Sequence, residues 1–416
     1  MAPDWTRRHL IYGSAGMAAS GFMQGKTTDA ESDSPALHIP PRDSSGAGVL
    51  RAVVIGHTGA GNYGHGLDQV FCEIPGVEMA AVADEDEAGR EETREKIGAE
   101  RSYAEFDEML AKEKPDLVCI APRWTGERFP MAMAALQAGA HILVENPFTQ
   151  TLAEADELLA VAEQQGRKIA VAHPMLTDPH VEKFYEQSRR HIGELLEMRV
   201  YGKMDDRAGG EDLLVQGSHL FDLVRLFGGE AEWCTARIRS GGHEATLADV
   251  KQSRHEDLGP ILGDDISAQI AMDSGVNVTF TSRTGLRDAV GPWGIEFIGS
   301  RSVMRLQAGE QATFSYLQSP DPRAHTRDEQ WKRWPDEEPY HEDFNGATGR
   351  HAANRILVTD WLDAIAGEEE SDPKCSGYRA MKTLEMIHGI WQAGLTGERV
   401  KFPLVDREHP LASEEL

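Results

Sequence analysis

Cysteine, positive charge and long apolar runs are all scarce in this sequence. Its four cysteines among 416 residues, Cys72, Cys119, Cys234 and Cys375, stand far apart, with no C-x-x-C pair and no Cys/His ligand spacing. That pattern indicates neither a disulfide framework nor a zinc site, and no metal is expected. Cys119 lies in an apolar run and reads as a small buried hydrophobe. Lysine and arginine number 42 against 69 acidic residues, a net charge of −27, which argues against a nucleic-acid surface and against docking on anionic membranes. No stretch is long and apolar enough to span a bilayer as an ordinary helix. What is left is a soluble enzyme with a neutral or locally steered substrate.

Present instead are length and glycine. A chain of this size buries a large core and divides most naturally into two domains. The stretch Val53-Val54-Ile55-Gly56-His57-Thr58-Gly59-Ala60-Gly61-Asn62-Tyr63-Gly64 runs from apolar and β-branched into glycine, and Gly59, Gly61 and Gly64 fit G-x-G-x-x-G. The pattern reads as strand, tight turn and helix start, where backbone without Cβ lets amide groups approach a pyrophosphate. Gly56 precedes the fitted motif, so the phosphate loop is longer than usual. A second apolar run, Val77 to Ala83, ends in Asp84, at the separation where an acid accepts hydrogen bonds from the adenosine ribose; it favours NAD over NADP. The structural alternatives are a plain glycine turn and an Asp84 that caps the next helix.

At the N-terminus, Thr6-Arg7-Arg8-His9-Leu10-Ile11 precedes a mildly apolar run to Met23 and a Gly-, Ser- and Pro-containing linker, Ser32–Gly48. Residues 1–48 are similar to a twin-arginine export signal with its linker. This implies an exported or periplasmic protein; a disordered basic start in a cytoplasmic protein is the alternative. From 49 to 173, strands at Val49–Ile55, Val77–Ala83, Leu117–Ala121, His141–Val144 and Lys168–Ala172 alternate with helices at Glu85–Gly98, Arg128–Ala138 and Leu152–Gln165. Gly98, Gly139 and Gly166 serve as helix stops. The alternation predicts an α/β fold with a doubly wound parallel sheet. From 174 to 345 the strands Glu194–Gly202, Trp233–Arg239, Ile266–Met272, Val276–Ser282, Ile295–Ile298 and Val303–Leu306 follow one another, predicting a largely antiparallel open sheet. A long loop is expected at Ser319–Phe344. From 346 to 416, helices at Asn354–Ala366 and Gly377–Thr396 are expected to pack back on the first domain.

The glycine loop, Ala83-Asp84, Ile120-Ala121-Pro122, His141-Ile142-Leu143-Val144-Glu145-Asn146-Pro147, Gly217-Ser218-His219-Leu220-Phe221-Asp222 and Phe297-Ile298-Gly299-Ser300-Arg301-Ser302 occur in an order that resembles the glucose-fructose oxidoreductase and inositol dehydrogenase (Gfo/Idh/MocA) family, over residues 49 to about 405. The resemblance implies a Rossmann domain joined to an α/β domain whose open sheet often forms an oligomer interface, hence a homo-oligomer. It also implies NAD(P)-dependent oxidation or reduction of a sugar or cyclitol. On it, Gly56, His57, Gly59, Ala60, Gly61, Asn62, Asp84, Ala121, Pro122, Arg123 and Glu145 are the cofactor-binding candidates.

Family members that transfer hydride use a lysine in E-K-P and an aspartate and a histidine in D-x-x-x-H. This chain has Asn146 at the lysine and Val215 at the aspartate, and keeps His219, with Asp222 one turn beyond. An asparagine hydrogen-bonds but exchanges no proton near neutrality. His219 is therefore the expected acid/base, with Asn146 orienting substrate or cofactor. Glu211, Asp212 or Lys203 would replace the missing charge. Each has a plainer role, Glu211 and Asp212 as helix-start caps and His219 as a buried structural histidine. Arg123 with Trp124, and His173 at the end of the last Rossmann strand, are further cleft candidates. Two other functions stay open: NAD-dependent cleavage of a glycosidic bond by transient hydride transfer, and binding of sugar or nucleotide without catalysis.

Overall fold

The computed structural model describes residues 48–285, 293–308, 312–319, 330–334, 349–367 and 372–412. The twin-arginine segment, and all of the expected loop Ser319–Phe344 except Ser319 and 330–334, lie outside the described residues.

Six short strands, β1 (Leu50–Ile55), β2 (Val77–Ala83), β3 (Arg101–Tyr103), β4 (Leu117–Ile120), β5 (His141–Val144) and β6 (Ile169–Val171), pair in the order β3-β2-β1-β4-β5-β6. Every pairing is parallel. β4 and β5 are buried at every residue, which is why they read as continuous apolar runs: helices cover both faces of a parallel sheet. The helices are α1 (Glu87–Ile97), α2 (Phe106–Glu113), α3 (Arg128–Gln137) and α4 (Leu152–Gln165). Asp86 caps α1 by accepting from the Gly89 amide at 2.7 Å. Thr151 and Glu154 form a reciprocal capping box on α4. Gly98 and Gly166 end α1 and α4 in the left-handed conformation, φ 68° and 63°.

Two differences from the sequence reading stand out. β3 and α2 are additional; β3 has only three residues and α2 eight, too short for periodicity to reveal. The helix expected after the glycine loop does not form: Gly64 and Gly66 both take positive φ, 58° and 79°, and the chain makes only a 3₁₀ turn at Leu67–Gln69. The loop therefore has backbone amides to offer but no long helix dipole behind them.

Past α5 (Pro179–Ile192), the chain builds a ten-stranded sheet from β7 (Leu195–Tyr201), β8 (Ala231–Ser240), the two-residue β9 (His243–Glu244), β12 (Asp265–Met272), β13 (Asn277–Arg283), β14 (Gly294–Gly299), β15 (Val303–Gln307), β16 (Thr313–Leu317), β17 (Lys332–Trp334) and β18 (Val400–Lys401). A separate small hairpin joins β10 (Lys251–Gln252) to β11 (Pro260–Ile261). β17 falls inside the span expected to be loop. Among the described residues only β7 with β13 pairs in parallel, so the sheet is mixed and largely antiparallel, as expected. One face is apolar, with Met198, Val200, Ile266, Ile270, Val278 and Phe280 buried. α6 (Gly210–Gly228) and α8 (Gly377–Thr396) cover this face, and α5 is pinned to it by Phe184, whose ring lies 5.1 Å from Phe297 and 5.0 Å from Phe314. The opposite face carries Thr235, Arg237, Ser267, Gln269, Thr279 and Thr281.

α7 (Gly349–Ala366) and α8 reach the parallel sheet: the Asn354 amide donates to the His65 carbonyl at 3.1 Å, and the Val171 amide donates to the Cys375 carbonyl at 2.8 Å. Among the described residues no helix is long and apolar enough to cross a membrane.

Candidate active site

In an open parallel sheet the ligand crevice lies beyond the strand carboxyl ends, where the strand order reverses. Here that point is between β1 and β4, and the glycine loop stands over it. His57 and Asn62 exchange backbone hydrogen bonds at 3.1 and 2.8 Å, and Asn62 Oδ1 accepts from the Gly59 amide at 2.9 Å, closing 57–62 into a tight hairpin. Gly59 (φ 88°) has open space where a Cβ would stand. At Gly61 (φ 90°) a Cβ would strike the Arg123 and Trp124 amides, and at Gly64 the Ala121 carbonyl and the Glu145 carboxylate. Gly61 and Gly64 thus let the loop sit directly on Ala121–Trp124, while Gly59 leaves its outer side approachable. Among the described residues the Gly61 and Tyr63 amides have no acceptor, a donor set that fits a diphosphate. Ala60 lies inside the hairpin and is buried. Gly56 packs against the Tyr63 ring, so it serves the loop's own fold.

Asp84 ends β2 as expected, and it is buried. Its carboxylate accepts from the Thr58 amide (3.0 and 3.1 Å), the Thr58 hydroxyl (2.7 Å) and the Asp86 amide (3.0 Å). It ties the glycine loop to β2, and Thr58 stands where a ribose hydroxyl would have to approach. His57 faces away, its Nδ1 2.6 Å from Glu127 Oε2.

Past β5, Glu145 is buried, bonded to His65 Nδ1 and accepting from the Asn146 amide at 2.8 Å. Burial works to raise its pKa, but His65, Arg128 and that amide outweigh it and hold the carboxyl below its ordinary value. Beneath it Arg128 is fully buried. Its guanidinium donates to the Pro147 carbonyl, to the Pro122 carbonyl at 2.9 Å and to the Arg123 carbonyl at 3.0 Å, and burial pushes its pKa down to about 10. This arginine fixes the β4 and β5 ends relative to each other.

Asn146 and His219 come together: Nδ2 lies 3.3 Å from His219 Nε2 and 3.4 Å from the Val215 carbonyl, while Oδ1 lies 2.9 Å from His173 Nε2 and 2.9 Å from Ser218 Oγ. Behind them His173 Nδ1 meets Asp222 Oδ2 at 2.9 Å, and Arg379 Nε donates to Asp222 Oδ1 at 3.0 Å. Burial alone would raise Asp222, yet Arg379, the His173 bond and Arg225 bring it to about 2, so it is ionised. Burial, with His173 alongside, pushes His219 down to about 3. Among the described residues its Nδ1 is buried without a partner, and the Trp293 ring lies 6.0 Å away.

The residues expected to supply the missing charge do not. Asp212, in the first turn of α6, is fully buried and accepts from the Lys203 and Met204 amides at 3.0 and 3.1 Å and from Ser282 Oγ at 2.6 Å. Its oxygens are committed to stitching β7, β13 and α6. Lys203 Nζ pairs with Asp205 Oδ2 at 2.8 Å, so it does not stand in for the family lysine. Glu211 binds the Arg254 amide and His255 Nδ1. The charge beside Asn146 belongs instead to Asp222, reached through His173. His173 and Asp222 were visible in sequence as isolated candidates, whereas Arg379, 157 residues beyond Asp222, gave no signal. Arg123 is paired with Glu256, on a strap from the second half of the chain whose Glu256 carbonyl accepts from the Thr125 amide at 3.0 Å. Trp124 is exposed.

Residues 50–173 match the model of an oxidoreductase family with an NAD-binding Rossmann fold, Gfo/Idh/MocA. Those residues, about a third of the chain, are what is similar to that family. The resemblance read from its motifs is thus borne out, as is the NAD-binding character of the first domain. Over its length the chain is similar to a D-apiose dehydrogenase of Paraburkholderia graminis, 24% identical over 374 residues, 85% of this chain and 90% of that protein. It is also similar to a glycosyl hydrolase family 109 protein of Shewanella pealeana, 26% identical over 177 residues. That match spans 38% of this chain and 37% of the relative. An aldose-aldose oxidoreductase from Caulobacter crescentus, solved with glycerol, shares the fold at a TM-score of 0.62 and 18% identity, covering 85% of this chain and all of that one (100%).

Proposed function

We propose that this protein is an NAD-dependent oxidoreductase that interconverts a hydroxyl and a carbonyl on a sugar, sugar derivative or cyclitol. The observation that carries the reading is His219, whose Nε2 lies 3.3 Å from Asn146 Nδ2 while its Nδ1 has no partner among the described residues. A base must keep a free lone pair at working pH, and we assign that lone pair to Nδ1, the ring nitrogen the fold leaves open.

When bound, NAD supplies the acceptor for a substrate hydride. The open Gly61 and Tyr63 amides, with Gly59 leaving the outer side of the loop clear, are the groups for its diphosphate, and Asp84 holds Thr58 toward its adenosine ribose. Ala121, Pro122, Arg123 and Glu145 flank the β4 and β5 ends. His219 takes the hydroxyl proton at Nδ1, Asn146 holds its ring, and the Trp293 face offers apolar surface to sugar C–H groups. The D-apiose dehydrogenase likeness supports a sugar substrate.

The test is a panel of aldoses, ketoses, anhydrosugars and cyclitols with NAD, read by NADH absorbance, together with heat denaturation to release bound nucleotide. Turnover on at least one compound is expected; no turnover, with no nucleotide released or bound, overturns the reading. A second reading has its own support in the family 109 relative: NAD-dependent glycoside cleavage with the hydride returned. Aryl glycosides distinguish it, since phenol release that requires NAD but leaves no net NADH belongs to cleavage alone. Nucleotide binding without either turnover would make the chain a binding protein.

Export by a twin-arginine route, with a tightly held nucleotide, extends the proposal. So do a homo-oligomer built on the polar outer face of the large sheet and domain limits at 49–173 and 174–345 with C-terminal helices from 346. A shift in secretion on replacing Arg7-Arg8 by lysines, and a sedimentation mass above 45.8 kDa, are the respective checks.

A further inference from the structure

We infer that Asp222, His173 and Asn146 form a hydrogen-bonded chain of positioning residues that fixes the ring protons of His219, keeping Nε2 protonated and Nδ1 bare. The inference rests on the assignment of His219 as the base, and it names what sets that base's protonation.

The argument is one of donors and acceptors. Asp222 is buried against Arg379 and, as a carboxylate, only accepts, so His173 Nδ1, 2.9 Å from Oδ2, carries a proton. Arg379 and Arg225 already balance the Asp222 charge, so a single proton on His173 suffices, and its Nε2 presents a lone pair to the side-chain amide of Asn146, 2.9 Å away. An amide is nearly symmetric in shape, and its partners decide which end is nitrogen. With nitrogen toward His173, one N–H goes to His173 Nε2. The other goes to Ser218 Oγ, also at 2.9 Å, and Ser218 passes its own proton to the Val215 carbonyl at 2.7 Å. The amide oxygen now faces His219 Nε2 and requires a proton there. His219 Nδ1 is left with a lone pair, and it is the ring nitrogen without a partner among the described residues. The Val215 carbonyl, 3.4 Å from the end of the amide that faces His219, then takes its proton from Ser218 alone.

This accounts for asparagine in place of the family lysine. A lysine ammonium only donates; it would satisfy His173 but could not accept from His219. An amide does both, at opposite ends of one plane, and so converts the acceptor end of His173 into an acceptor for His219. The buried negative charge acts two residues away from the base, without touching it.

The test uses the full chain labelled with 15N-histidine, read by long-range 1H–15N correlation, with His219 signals assigned by their loss in His219→Gln and His173 signals by their loss in His173→Gln. Expected are an unprotonated Nδ1 with a protonated Nε2 on His219, and the reverse on His173. A proton on His219 Nδ1 overturns the inference. Asn146→Asp, which accepts at both ends, should leave the His219 tautomer in place and make His173 doubly protonated. Asn146→Leu, which does neither, should convert His219 to a tautomer mixture; an unchanged His219 tautomer in that variant, folded by circular dichroism, also overturns it. Should Asn146→Leu fail to fold, the native spectrum and Asn146→Asp still decide. A bare Nδ1 in a protein that turns over no sugar would support the hydrogen-bonded chain while sinking the oxidoreductase reading.

Discussion

Asp212 is buried and His219 half-buried, and they answer to different measurements. Replacing His219 by alanine removes the proposed base, and kcat on any sugar the enzyme accepts should fall by roughly 10²- to 10⁴-fold, with the unfolding midpoint little changed. Replacing Asp212 by alanine strands two backbone amides and the Ser282 hydroxyl. The expected loss is about 2–3 kcal/mol in denaturant unfolding, with kcat largely retained in the folded fraction. A catalytic Asp212 would show the opposite split. The sequence made His219 legible because its spacing survived, and it pointed to Asp212 because acids next to glycines mark a helix start or a site alike. Geometry separates the two: Gly209 and Gly210 press α6 onto the turn at Leu262–Asp264, and that turns Asp212 toward the β7 end rather than toward Asn146.

At the level of elements, most of the parallel sheet could be read in advance because its strands are buried on both sides and its helices carry caps and glycine stops. His141–Val144 and Leu152–Gln165 match residue for residue. The failures have local causes. The glycine loop does not enter an α-helix because Gly64 and Gly66 both turn the backbone left-handed, and α6, although its His219 and Asp222 were noted, showed no clean apolar face because it is buried along most of its length. Thr151→Ala should cost α4 about 1 kcal/mol of stability through its lost cap. Arg128→Met has a larger reach. It leaves the Pro122, Arg123 and Pro147 carbonyls without their common donor, so a loss of about 3 kcal/mol is expected. NAD affinity should fall with it, by calorimetry, since the β4 and β5 ends lose their tie.

Across the whole molecule, acid sensitivity follows from histidines that folding keeps neutral. Burial pushes His409 to about 4; burial, with Arg167 close by, does the same to His141; and burial, with His409 and Arg407, holds His388 well below its ordinary 6.5. The unfolded chain takes up these protons near 6.5 while the native fold refuses them. Their contribution to stability is therefore complete above that pH and is lost as pH falls toward 4. Unfolding free energies from denaturant titrations between pH 7.5 and 4.5 should decline by about 1 kcal/mol per ring per pH unit below 6.5. His388→Phe should flatten the curve; an unaltered slope would show that other groups govern it.

The large sheet also has a seam. β7 lies between β14 and β13 and is the strand through which β14–β17, on one flank, meet β13, β12, β8 and β18 on the other. A proline at Val200, whose neighbours are Ile295 on one side and Phe280 on the other, would unzip two wings at once, whereas the same change in β16 would fray a margin. Amide exchange should accordingly be slowest along 197–200, the residues on which both wings close.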